Sequence, residues 1–253
     1  MPADLVWFAR PSSERSLLEE QPRLASWEKA DHPGRRTLDA YLAHVEELGR
    51  PRVEAVDGPL AVGLHVRLDE GVDLLRDRDL DNYALPVVTH LARTTGRLAT
   101  TVFVTKDHQS PSALQVEAAR PTAPMAAPVH VLTTHASSES ESYKKQVDDA
   151  LEAVEPLAAG PVALDLSFVV GPRRTWTNLW KPTIDALGRL LGASSPPRPW
   201  HPQDGRVVAL GLHHVVDPDA RDEVVIGLSA SLVAEQDDER PVSGRTGSST
   251  QSS

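Results

Sequence analysis

The chain has 253 residues and no cysteine, which excludes disulfides, thiolate metal sites, iron–sulfur clusters and cysteine nucleophiles. Its formal net charge of -10 opposes binding to polyanions at long range, because proteins that neutralise many phosphates carry clustered Lys and Arg. The first residues show no basic stretch followed by an apolar run, and no segment is apolar over the length of a bilayer. We therefore expect an unprocessed protein of the cytoplasm, with no membrane partner.

Composition and periodicity divide the chain into five regions. Residues 1–35 mix charge with Leu and Trp and are interrupted by prolines, which predicts an N-terminal arm with short helices. Two α+β units, 36–120 and 141–235, are joined by residues 121–140, whose Pro, Ala, Thr and Ser predict a linker with one short extended piece. Residues 236–253 are almost free of apolar side chains, which predicts a disordered tail.

Both units have the same predicted order of elements, which is helix, strand, helix, strand, strand. In the first unit, a helix begins at Thr37 and is stopped by Gly49 and Pro51, and a second helix follows Asn82. The predicted strands of both units have alternating or continuous apolar residues. They cover 60–68, 98–105 and 113–118 in the first unit, and 162–170, 207–215 and 223–232 in the second.

The two units also repeat residue by residue. Tyr41 and Tyr143 each precede a Gly-Pro pair at the same spacing, and only the loops differ in length. Repeats of this size often form two halves of a pseudo-symmetric pair, so we expect the units to pack against each other as an intramolecular pseudo-dimer. The main correspondences are Gly58-Pro59 with Gly160-Pro161, Asn82 with Asn178, Pro86 with Pro182, and Gly96-Arg97 with Gly205-Arg206.

The run Asp79-Leu80-Asp81-Asn82 is the most suggestive of chemistry. Carboxylates two residues apart in extended chain point to one side, where they can share a hard cation such as Mg²⁺. Asp and Asn are equally typical of a helix N-terminus, where they cap free backbone N–H groups. In the second unit, Thr175 and Thr177 occupy the positions of the two carboxylates.

A second run extends from Asn178 to Asp204. Lys181 and Asp185 are four residues apart, so on a helix they are neighbours and a surface ion pair worth about 0.3–0.5 kcal/mol explains them. Asp204 precedes Gly205 and is also a common turn residue. Taken singly, these residues do not require a functional site.

Taken together, the two runs resemble the RusA-type Holliday junction resolvases. The family signature is Asp-x-Asp-Asn-x-x-Lys, followed by an Asp-Ala-Leu helix and an acidic pair that opens a strand. The first unit retains Asp79, Asp81 and Asn82, but departs from the signature at Leu85, at Thr89 and near Thr95. The second retains Asn178, Lys181, Asp185 and Asp204, but has Thr175 and Thr177 in place of the first two carboxylates. Each unit lacks what the other retains.

The resemblance implies a duplicated, pseudo-dimeric relative of small α+β homodimers that cut four-way DNA junctions with Mg²⁺. It implies a structure-selective endonuclease of branched DNA, acting in recombination and repair. Asp79, Asp81 and Asp204 would then hold Mg²⁺, and Lys181 would contact the scissile phosphate. The split motifs and the net charge favour an alternative, an inactive scaffold that binds protein or nucleic acid. In an unrelated adaptor, Asp79 and Asp204 would lie far apart.

Overall fold

The computed structural model describes residues 4–24, 33–76, 78–194 and 198–233, and its fold is α+β. Within these ranges, no helix has both the length and the apolar character that a bilayer crossing requires. The predicted disordered tail lies outside the described residues. The elements in chain order are β1 (Trp7–Phe8), β2 (Ser16–Leu17), α1 (Pro33–Ala55), β3 (Leu60–Arg67), α2 (Leu80–Thr95), β4 (Thr101–Asp107), β5 (Ala113–Ala118), β6 (Pro121–Thr122), β7 (His130–Thr134), α3 (Glu141–Ala150), β8 (Val162–Val170), α4 (Thr177–Asp185), α5 (Gly188–Leu191), β9 (Val207–Val216) and β10 (Val224–Leu232).

One mixed sheet of eight strands organises the molecule, in the order β2-β5-β3-β4-β9-β8-β10-β7. On one side of its centre, β3 is parallel to β4 and antiparallel to β5, and on the other side β8 is parallel to β9 and antiparallel to β10. The antiparallel pair β4 and β9 joins these halves, with Thr101 opposite His213 and Thr105 opposite Ala209. The pattern of strand pairing is therefore the same on both sides of the β4–β9 junction.

The two faces of the sheet are covered differently. Helices α1 and α2 pack on the first half and α3 and α4 on the second, and their apolar side chains form one continuous core with the sheet. The opposite face is covered by the N-terminal residues: Trp7 lies edge-on against His213, and Pro11 contacts Gly63. Because both faces are covered, β3 and β8 are buried along almost their whole length, which explains their nearly continuous apolar sequences.

The predicted end of α1 at Gly49 and Pro51 is wrong, because the helix continues to Ala55. A Cβ atom at Gly49 would lie 3.0 Å from a methyl carbon of Leu91 on α2 and 3.1 Å from one of Leu114 on β5. Gly49 thus allows close packing on the core, and this packing outweighs the low helix propensity of Gly and Pro.

The N-terminal arm also differs from its prediction. Its described part, 4–24, forms the short strands β1 and β2 rather than helices, with β1 paired to β6 and β2 to β5. Prolines at 11 and 22 favour extended backbone, whereas Pro33 stands at the first position of α1, where a proline fits a helix. The predicted linker contains two strands rather than one extended piece: β6, which pairs with β1, and β7, which pairs with β10 at the edge of the sheet.

Two arginines fix corresponding backbone segments in the two halves. Arg97 donates through Nη2 to the carbonyl oxygen of Gly58 at 2.6 Å, and Arg206 donates through Nε to that of Gly160 at 2.9 Å. Both glycines have positive φ, 82° and 131°, a conformation that glycine adopts without strain. Arg206 is buried and also binds the carbonyl oxygens of three further residues, Leu157, Ala158 and Leu191. The sequence comparison pairs these arginines and glycines, and each arginine binds the glycine of its own half.

We expect Arg206→Met to lower the free energy of unfolding by about 2–4 kcal/mol, because it leaves one buried and three partly buried carbonyl groups without this donor. Arg97→Met should have a smaller effect, since Arg97 is only half-buried. Urea denaturation measures both, with the exposed Arg93→Met as the control. An Arg206→Met variant as stable as the control would contradict the role of this side chain.

Candidate functional site

Five charged side chains converge where β4 ends and β9 begins. Asp79 directly precedes α2 and Asp81 lies in its first turn, whereas Asp204 lies in the turn that leads into β9. Lys181 and Asp185 lie one turn apart on α4. Because β4 and β9 are antiparallel, the end of one strand meets the start of the other, and the loops beside them come together.

The ammonium group of Lys181 lies at the centre of this cluster. Its Nζ donates to Asp204 Oδ2 at 2.9 Å, to Asp185 Oδ1 at 3.0 Å and to Asp79 Oδ2 at 3.3 Å. The helical pair of Lys181 and Asp185 is therefore part of a larger cluster. Asp79 and Asp204 come from different units of the sequence, yet they bind one ammonium group. The two residues are therefore not far apart, which contradicts the placement expected for an unrelated adaptor.

Helix capping does not explain the orientation of the Asp79 side chain. Asp79 is the N-cap residue of α2, but its side chain makes no capping hydrogen bond to the helix backbone. Instead its carboxylate accepts from Asn82 Nδ2 at 3.3 Å and from Lys181. Lys144 on α3 donates to Asp185 Oδ2 at 2.7 Å. Asp79 and Asp185 are thus oriented by neighbouring side chains, as the members of a preformed polar site would be.

The cluster holds more negative than positive charge. Four carboxylates, those of Asp79, Asp81, Asp185 and Asp204, face the ammonium groups of Lys181 and Lys144. The pKa of Asp81 is raised to about 7, mainly by burial; Lys181 opposes this shift and the neighbouring carboxylates add to it. Burial also raises the pKa of Asp204. Burial lowers the pKa of Lys181, but the surrounding carboxylates outweigh this effect and the net shift is upward. Asp81 is thus able to exchange a proton near neutral pH.

A buried lysine that the sequence reading missed connects the two loops. Lys106 on β4 is only 3% exposed, and its Nζ donates to the carbonyl oxygen of Arg78 at 3.1 Å and to that of Gly205 at 2.6 Å. Arg78 adjoins Asp79, and Gly205 adjoins Asp204. One charged side chain therefore fixes the backbone beside a carboxylate from each half.

The same loops also touch directly. A Cβ atom at Gly205 would clash with the backbone carbonyl of Arg76, so glycine is needed for this approach. Arg78 has a φ of 74°, which is unusual for a residue other than glycine and places strain next to Asp79. A signal for Lys106 was present in the sequence, because it shares a strand face with the buried Val102 and Val104, where a charge requires buried partners.

Two clefts lie beside α2 and α4. The first, of about 740 Å³, is lined by Asp79 and Asn82 together with Arg76 and Arg78, and leads to the carboxylate cluster. The second has a volume of about 810 Å³. Its lining includes the positions that the sequence comparison pairs with four of the five cluster residues, namely Thr175, Thr177, Leu85 and Thr89, and also Asn178, the counterpart of Asn82; Thr95, which corresponds to Asp204, does not line it. The predicted motif residue Asn178 thus lines the second cleft.

The cluster fits Mg²⁺ in its chemistry, because carboxylate and amide oxygens are the ligands that this ion prefers. Its excess negative charge favours a further cation. In the described ranges, however, no three His, Asp or Glu side chains are arranged to hold a metal ion. Asp79 and Asp204 are instead directed at the ammonium group of Lys181, so a metal requires that group to move aside. The side chain of Lys181 is 43% exposed and long enough to turn towards solvent.

Comparisons with known proteins do not assign this chain to a family. No family model matches it, and no curated protein matches it. A function is therefore inferred from the geometry of the cluster and from the correspondence between the two halves.

We expect Asp81→Asn to change how stability depends on pH. The folded protein retains a proton on Asp81 up to a pKa of about 7, whereas the unfolded chain loses it near the ordinary value of 3.8. The folded state therefore binds more protons between these values, and wild-type stability falls as pH rises from about 4 to 7. Asp81→Asn should remove this contribution and stabilise the protein at pH 8, by on the order of 3 kcal/mol.

Urea denaturation at pH 5 and pH 8 measures this effect, with Asp39→Asn as the control because Asp39 is exposed. An Asp81→Asn variant that loses stability in parallel with the wild type between these pH values would show that Asp81 is already ionised at pH 5.

We expect Lys106→Met to loosen both loops, because it leaves the carbonyl groups of Arg78 and Gly205 without this donor. Amide hydrogen exchange should accelerate at 78–80 and 204–206, and the free energy of unfolding should fall by about 1–3 kcal/mol. Lys145→Met is the matched control, since the Lys145 side chain is 69% exposed. Unchanged exchange at both loops in Lys106→Met would refute the connecting role of Lys106.

Proposed function

We propose that the chain is a Mg²⁺-dependent, structure-selective DNA endonuclease that acts in recombination and repair. In this proposal it consists of two tandem RusA-like units, packed as an intramolecular pseudo-dimer with one composite carboxylate site. The α+β fold and the matching strand pairings on both sides of the β4–β9 junction support the duplicated architecture. The hydrogen bonds of Arg97 and Arg206 to corresponding glycines support it independently.

One observation carries the proposal: the parts of the signature that each unit retains are brought together. Asp79 and Asp81 come from the first unit, and Lys181, Asp185 and Asp204 come from the second. If the two units had lost their motifs independently, nothing would favour the survival of residues that complete a common site. The retention of complementary residues around one ammonium group is expected if that site has remained in use.

The residues of the cluster have distinct roles in the proposed reaction. Asp79, Asp81 and Asp204 would hold Mg²⁺, which supplies charge stabilisation during phosphodiester hydrolysis. Lys181 would turn from the carboxylates to the scissile phosphate, since its side chain is long and partly exposed. Hydrolysis joins the oxygen of water to phosphorus and breaks one bridging P–O bond, and the leaving oxygen takes a proton. The attacking water gives up a proton, which balances the proton that the leaving oxygen takes.

The first cleft gives a nucleic acid a route to the cluster. Arg76 and Arg78 line it beside Asp79; the side chain of Arg76 is 82% exposed and lies 3.4 Å from Asp73, a second carboxylate of this cleft. Guanidinium groups beside a carboxylate cluster suit a nucleic-acid strand, because they can bind the phosphates next to the one that is cut. The net charge of -10 still opposes non-specific binding to DNA, so affinity has to come from these local cations.

The alternative is an inactive RusA-like protein that binds or assembles without cutting. The position of Lys181 Nζ between Asp79 and Asp204 favours this alternative, because an ammonium group there neutralises the carboxylates without any metal. The cluster would then hold the two halves together. The two hypotheses differ in what Lys181→Met does: it should strengthen metal binding at a working site, but should only destabilise a structural ion cluster.

We expect purified protein with Mg²⁺ or Mn²⁺ to cut a labelled four-way junction in preference to linear duplex. Asp79→Asn and Asp204→Asn should each reduce the rate by 100-fold or more, because each removes one ligand charge from the same site. Gel analysis of the labelled strands measures the rate. Asp57→Asn, which changes an exposed carboxylate outside both clefts, should leave the rate within about twofold.

Titration with Mn²⁺ provides a readout that is independent of cutting. The affinity of the protein for Mn²⁺ should rise as pH increases towards 7, because the metal competes with the proton on Asp81. Loss of binding in both Asp79→Asn and Asp204→Asn would place ligands from both halves in one site. Absence of cleavage on four-way, flap and linear DNA with either metal would refute the nuclease proposal and support the alternative.

A further inference from the structure

The second cleft has the same construction as the first site, with the roles of the two helices exchanged. At the cluster, α2 begins with the carboxylates and α4 supplies Lys181. At the second cleft, α4 begins beside Thr175 and Thr177, and α2 supplies Leu85 and Thr89. The chain thus contains two equivalent places for a reaction, and only one of them retains carboxylates at the corresponding positions.

Threonines in place of the two carboxylates, and a leucine in place of the lysine, change the charge of the ligand that the second cleft can bind. Threonine hydroxyls are neutral and ligate Mg²⁺ poorly, and Leu85 supplies neither a charge nor a hydrogen bond. Among the described residues that line the cleft, Arg35 and Arg93 are cationic, and Asp39 is the single acidic side chain. Arg35 binds Asp39 at 3.1 Å, whereas Arg93 is exposed and contacts the neighbouring His90 at 3.2 Å. This cleft therefore lacks a cation site and favours an anion.

We infer that the chain has one cutting centre, and that the second cleft binds the sugar-phosphate backbone of a strand that it leaves intact. The guanidinium group of Arg93, the hydroxyls of Thr175 and Thr177 and the amide of Asn178 are the groups that proteins use to contact phosphodiesters. Each binding event at branched DNA then hydrolyses one P–O bond and produces a nick. This inference rests on the proposed function.

A supercoiled plasmid with an extruded cruciform distinguishes one cut from two. With DNA in excess over protein, one cut per binding event gives a nicked circle, whereas paired cuts give a linear molecule. The wild type should give nicked circles as its first and main product. Linear product that appears at the same rate as nicked circles would overturn the inference while leaving the proposed nuclease intact.

A variant with a restored second site tests the cause of the single cut. It combines five substitutions: Leu85→Lys, Thr89→Asp, Thr95→Asp, Thr175→Asp and Thr177→Asp. It should bind about twice as many Mn²⁺ ions per chain as the wild type and should convert nicked circles to linear product. A folded variant that binds no additional metal would contradict the equivalence of the two clefts.

Binding without cutting tests the second cleft even if the protein has no nuclease activity. In EDTA, Arg93→Glu should weaken binding to a four-way junction by about tenfold and should lower the salt dependence by about one phosphate contact. Arg15→Glu makes the same change of charge at an exposed residue on the arm and is the control. Equal binding by the two variants would show that no DNA strand occupies the second cleft. If no cut product appears, the proposed nuclease function is rejected, but the binding of a DNA strand in the second cleft is not.

Discussion

The charge of one ammonium group, on Lys181, determines how the carboxylates of this molecule are arranged. Carboxylates from two distant parts of the sequence would repel one another at these distances, and Lys181 holds three of them within hydrogen-bonding range. Such a cluster is a poor way to stabilise a fold, since each buried ion loses its hydration. Asp81 illustrates this loss of hydration, because burial raises its pKa to about 7. Groups that lower stability in this way are typical of functional sites.

The backbone of the two loops that carry the carboxylates is held more tightly than the side chain of Lys181. Lys106 binds backbone carbonyls in both loops, and Gly205 approaches the backbone of Arg76 more closely than any other residue could. The side chain of Lys181, in contrast, is partly exposed and able to move. The combination of fixed carboxylates with a movable cation suits a site that exchanges one positive charge for another.

Part of this structure followed from the sequence and part did not. The strand prediction 162–170 is confirmed residue for residue, because continuous apolar character reflects burial on both faces. Gly49 was misread as the end of a helix, since its close packing on Leu91 is a tertiary effect that propensity does not contain. The proximity of Asp79 and Asp204 could not be predicted either, because it depends on the pairing of β4 with β9. Lys106 was missed because its partners are backbone atoms of distant loops.

The central pairing of β4 with β9 lies within a single polypeptide, and this fact has a genetic consequence. In an assembly of two identical chains, one codon change appears at both symmetry-related places, so neither can change without the other. Here each place is encoded separately, and Thr175 is free to differ from Asp79. In the proposed duplicated architecture, each of the two surfaces can therefore diverge while the common sheet continues to hold both.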